Sequence, residues 1–134
     1  MTKLTTVEGI GEVYSQKLAE TGIQTTEQLL EKGASPAGRK EIVEKTGISA
    51  KLILKWVNRV DLFRINGVSE EYADLLEIAG VDTVPELAQR NAENLYQKLV
   101  AANQEKKLVR RSPSQAAVSD WVKQAKQLPR VVKY

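Results

Sequence analysis

The 134-residue chain has no cysteine and no histidine. Without thiols there are no disulfides and no thiolate nucleophile. Without imidazole there is no side chain that normally titrates near neutrality, and the commonest metal ligand is missing. Zinc sites built on Cys and His, and histidine-based triads, are excluded. Long apolar runs are also absent. None exceeds four residues, whereas a membrane helix needs about twenty. The opening segment MTKLTTVEGIG lacks the apolar stretch of a secretory leader. A soluble, cytoplasmic chain is expected. Hydrophobic residues make up 42%, enough to bury a core, so a folded protein is expected. Carboxylates are plentiful, but none stands at a recognisable catalytic spacing. Asp74, Glu77 and Glu86 read as helix surface charge. Binding without catalysis, cofactor or metal site is the expectation.

The net charge of +3 is unevenly spread. Residues 1–60 hold 9 basic and 7 acidic residues, residues 61–102 hold 3 and 8, and residues 103–134 hold 8 and 2. The last segment contains Lys106, Lys107, Arg110 and Arg111. A basic stretch after an acidic one has two readings. It meets an anionic partner such as nucleic acid, or it folds back on the acidic part of its own chain.

The chain repeats itself at a shift of 58. VEGIGEVYSQKLAETGIQTTEQLL aligns with INGVSEEYADLLEIAGVDTVPELA, with Gly9/Gly67, Tyr14/Tyr72, Leu18/Leu76 and Gly22/Gly80 among the identities. At a shift of 65, Leu52, Ile53, Trp56 and Val57 match Ala117, Val118, Trp121 and Val122. The change of shift predicts a longer connection in the second half, around AANQEKKLVRR. Two copies of one unit are predicted, 1–62 and 63–134, the second with the longer connection and the basic segment.

Each copy reads as helices between tight turns. Tyr14 and Leu18 share a face, and Gly22 ends their helix. Thr25 with Gln28, and Thr83 with Glu86, have capping-box spacing. Ser35-Pro36 and Ser112-Pro113 each suit a cap followed by proline at the first helical position. Period-two alternation is never sustained, so no strand is predicted. An all-α fold of about eight short helices follows.

The strings Val7-Glu8-Gly9-Ile10-Gly11 and Ile65-Asn66-Gly67-Val68-Ser69 each precede an amphipathic helix. The first glycine permits a sharp reversal, and the central apolar residue anchors the turn in the core. The small residue after it opens the next helix, whose N–H groups then face an anion. A phosphate held this way gives affinity without sequence reading.

These features resemble the helix-hairpin-helix superfamily in its tandem form. The marks are GIG…Y…L…GI..T..LL and WVNRVDLFRINGVSEEYADLLEIAGVDTVPEL. Within that group the chain is similar to a bacterial family of domains of unknown function. The resemblance implies two hairpins that grip the backbone of double-stranded DNA. The backbone of Gly9, Ile10, Gly11, Gly67, Val68 and Ser69 would contact phosphate. Lys3, Lys17, Arg39, Lys40, Arg64, Lys106, Lys107, Arg110 and Arg111 are the basic side chains expected to assist. Ser69 stands where a second glycine belongs, and serine is a good N-cap. Glu8, Glu12, Glu70 and Glu71 surround the turns and would repel phosphate, although they suit a helix N-terminus. The resemblance also covers protein-binding members without a basic rim. An assembly adaptor is therefore the alternative expectation.

Other signals are weaker. Gly33-Ala34-Ser35-Pro36-Ala37-Gly38-Arg39-Lys40 superficially resembles a phosphate loop, but its lysine is misplaced and no strand precedes it. Trp56 and Trp121 lie at helical spacing with apolar neighbours and read as core, not as base-stacking platforms. The closing residues leave the last helix at Pro129.

Overall fold

Caps and glycines cut the chain into short helices. The computed structural model describes residues 3–134. A 3-10 turn at Leu4–Thr6 precedes α1 (Glu12–Glu20), α2 (Thr26–Gly33), α3 (Pro36–Thr46) and α4 (Ala50–Leu62). Then come α5 (Glu70–Ile78), α6 (Val84–Ala88), α7 (Ala92–Lys106) and α8 (Gln115–Gln127). Among the described residues there is no strand, only an isolated antiparallel bridge between Lys3 and Thr25. Among the described residues the fold is all-α with eight α-helices, as the sequence predicts.

Local chemistry explains most helix starts. The Gln28 amide donates to Thr25 Oγ1 at 3.1 Å, and Gln28 Oε1 accepts from the Thr25 amide at 3.2 Å, a complete capping box. Thr83 caps α6 through the Glu86 amide, but its hydroxyl donates to Glu86 Oε1, so the box is not reciprocal in the same way. Ser35 caps α3, with Pro36 at the first position. The expected cap at Ser112 is wrong. Helix α8 starts at Gln115, and Ser114 accepts from the Ala117 amide. Ser112 instead accepts a bond from the Asn103 side chain. Two serines flank Pro113, and only tertiary contacts decide between them.

The chain divides into two units, Met1–Asp61 with Arg130–Tyr134, and Leu62–Pro129. In the first, Leu18, Leu29, Ile42, Ile53 and Trp56 are fully buried. Helix α2 packs on α3, and α1 meets α3. Gly33 sits so close to α4 that a Cβ would stand 2.5 Å from Val57 Cγ2. The closing segment returns to this unit. The Lys133 amide donates to the Ala34 carbonyl at 2.8 Å, and Val132 is buried.

In the second unit α8 packs on α6 and α7, and α5 on α7. The core gathers Leu75, Leu76, Leu87, Leu99, Val118 and Trp121. Each such side chain contributes about 1.5–3 kcal/mol when fully buried. The link from α3 to α4 is residues 47–49, and the link from α7 to α8 is 107–114.

Candidate nucleic-acid interface

Both glycine turns form. In the first unit Ile10 N–H donates to the Val7 carbonyl at 3.0 Å, and Gly9 adopts φ +94°. In the second, Val68 N–H donates to Ile65 at 3.1 Å, with Gly67 at φ +97°. A left-handed residue third in a four-residue turn is the type II arrangement. Ile10 and Val68 are buried, so these apolar residues pin each turn to its core. Their amides already close the turns. Gly9 and Gly11 at the first turn, and Gly67 and Ser69 at the second, are exposed residues.

The helix starts after the turns differ. Gly11 is the N-cap of α1 and supplies no side-chain bond. Ser69 caps α5, its hydroxyl accepting from Tyr72 N–H at 3.4 Å. Part of the first-turn donor set of α5 is therefore occupied by its own cap.

Each turn is backed by a tryptophan of its own unit. A Cβ on Gly9 would lie 3.2 Å from Trp56 Nε1, and one on Gly67 2.9 Å from Trp121 Nε1. Tyr14 packs on Trp56 with ring centroids 5.1 Å apart, and Tyr72 on Trp121 at 5.3 Å. Both indoles are buried, so neither offers a face to a base.

The basic side chains fall into three groups. Arg39 and Arg64 are engaged by backbone carbonyls. Arg39 donates to Gly33 at 2.8 Å, Ala34 at 3.3 Å and Lys133 at 2.6 Å. Arg64 donates to Pro129 at 3.0 Å. Both hold chain together. Lys3, Lys17 and Lys40 are exposed and dispersed, on the first segment, α1 and α3. Lys106, Lys107, Arg110 and Arg111 form the third group, all exposed at the end of α7 and in the loop after it.

This loop is built. Asn103 donates through Nδ2 to the Val109 carbonyl and to Ser112 Oγ, both at 3.1 Å, and its Oδ1 accepts from Val109 N–H at 3.0 Å. Val109 is buried between the basic residues. Lys107 takes the left-handed conformation, φ 52°, and its amide caps α7 on the Asn103 carbonyl at 2.7 Å. Tyr72 Oη donates to the Arg111 carbonyl at 3.2 Å. The loop thus lies beside the helix that follows the second glycine turn. Glu71, Lys107 and Arg110 line one shallow depression there. The loop packs against α5, in the acidic middle of the chain, through the Tyr72 hydroxyl. Yet among the described residues none of Lys106, Lys107, Arg110 and Arg111 forms a salt bridge.

The sequence reading does not point to Asn103 or Val109. Two weak signals were present. Asparagine is a poor helix former near a helix end, and Val109 is a lone β-branched residue in a basic run.

Among the described residues, no helix is long and apolar enough to cross a membrane. The family model described as Domain of unknown function (DUF4332) matches residues 8–128, and the chain belongs to that family. No curated protein and no solved structure matches.

Proposed function

We propose that the chain is a tandem helix-hairpin-helix module that binds double-stranded DNA through its phosphate backbone, without sequence preference and without catalysis, in the cytoplasm. The observation that carries this reading is the Tyr72–Arg111 hydrogen bond. It fastens the loop after α7, whose cations are exposed and unbridged, to the first turn of the helix that follows the second glycine turn. Backbone amides position phosphate and cations supply affinity, a division common in DNA recognition. The matching Gly–Trp and Tyr–Trp contacts support reading the two units as copies of one ancestral hairpin unit.

Fluorescence anisotropy of a short random-sequence duplex, at two salt concentrations, tests this function. Micromolar binding that weakens steeply with salt is expected. Absence of binding at low salt would remove the reading.

A second reading applies to the first turn. Glu8 and Glu12 are exposed beside it, and Val13 is 69% exposed in the first turn of α1. An acidic rim around an apolar side chain suits a protein contact in an assembly adaptor. Val13→Asp would disrupt such a complex and leave duplex binding intact.

A further inference from the structure

We infer that DNA binding is concentrated on the second unit, where the loop 107–111 acts as a preformed cationic grip and Asn103 is its positioning residue. The inference rests on the nucleic-acid reading above and says where on the chain the contact is made.

Three contacts fix the loop before any ligand arrives. Asn103 ties Val109 at both its amide and its carbonyl, and reaches Ser112 as well. Buried Val109 is the loop's apolar anchor. The Tyr72 hydroxyl fastens the backbone at Arg111. Val109 points into the core, so its neighbours on either side stay at the surface. A loop already ordered loses less conformational entropy when it binds.

The charge pattern of the first unit differs. Arg39 is committed to three carbonyls. Lys32 and Lys45 converge on Glu41 at 2.7 and 2.8 Å. The corresponding connection, Gly47-Ile48-Ser49, carries no charge. Preformed, unbridged positive charge in a single loop is therefore a property of the second unit.

Glu71 sharpens the inference. It shares the depression with Lys107 and Arg110. Its carboxylate competes for the same cations and repels an incoming phosphate. Removing that charge should strengthen the grip.

The test uses the full chain and the same random-sequence duplex. In the triple variant Lys107→Gln, Arg110→Gln, Arg111→Gln, each lost phosphate contact reduces the slope of log affinity against log salt by about 0.9. The slope should become shallower by about 2 to 3. Lys3→Gln with Lys17→Gln should leave it within about 0.5. Glu71→Gln should tighten binding by about threefold, a factor set by one screened charge at close range. Asn103→Ala should weaken binding while retaining the slope per contact still made, with helicity unchanged by circular dichroism. Unchanged slope in the triple variant, with wild-type binding intact, would overturn the inference and leave the nucleic-acid reading standing. Absence of wild-type binding would overturn both.

Discussion

Gly67 rests on the indole edge of Trp121: a Cβ there would stand 2.9 Å from Nε1. The residue also needs φ +97°. Two separate costs therefore oppose any side chain. Gly22 offers the contrast, with φ +90° but open space where its Cβ would go. Gly22→Ala should cost about 1–2 kcal/mol, the left-handed penalty alone. Gly67→Ala should cost a further ~1–3 kcal/mol through overpacking against Trp121. Denaturant melts of both variants decide it. Equal losses would mean that Trp121 yields without resistance.

Glu41 reports on charge pairing in the first unit. Hydrogen bonds from Lys32 and then Lys45 lower its carboxyl pKa to about 2. The folded value lies below the unfolded one, so the pairing favours folding above the ordinary carboxylate range. That contribution is lost as pH falls from about 4.5 through about 2. Carbon-detected NMR titration of Glu41 should show this low midpoint. Lys32→Gln should bring it back toward 4.5. A midpoint already near 4.5 in the unmodified chain would show that the pair does not persist in solution.

Glu86 shifts the other way. Its interaction with Asp82 raises its pKa, with burial adding to the effect. A raised folded value means that ionisation of Glu86 opposes folding above the ordinary carboxylate range. Asp82→Asn should stabilise the second unit by a few tenths of a kcal/mol at neutral pH, about the size of a like-charge pair on a helix. The gain should vanish as acid protonates Glu86. Thermal melts at pH 7 and pH 3.5 check this, and an equal gain at both would reject the repulsion.

Arg39 is a clamp on the closing segment. Its guanidinium joins the end of α2 to the Lys133 carbonyl, and Tyr134 Oη reaches Asn58 Oδ1 at 2.7 Å. Arg39→Lys cannot span three carbonyls with one ammonium group. Hydrogen exchange at the Lys133 amide should accelerate by tenfold or more, a local change of about 1.4 kcal/mol. Helicity and duplex affinity should stay as they are. A loss of duplex affinity would return Arg39 to the set of DNA contacts.

Much was legible in the amino acids alone. Thr25 and Gln28 mark a helix start because each reaches the other's backbone within four residues. Gly9 and Gly67 mark turns because only glycine takes that backbone cheaply. Ile53, Trp56 and Val57 declare a buried stripe through their spacing. All of these depend on neighbours a few residues apart, and local geometry settles them.

Other features needed the folded chain. Ser112 and Ser114 are equivalent as caps until Asn103 takes one of them. Arg39 and Arg64 look like surface charge until carbonyls 94 and 65 residues away come within reach. The loop 107–111 reads as a solvated basic run until Tyr72, 39 residues earlier, fastens it. The sequence determined most of the helix starts, where the chain reverses and which faces are apolar. Tertiary structure decided which polar side chains are consumed in holding the protein together and which remain for a partner. Hydrogen bonding to a distant carbonyl depends on packing of whole helices, and no window of sequence contains that information.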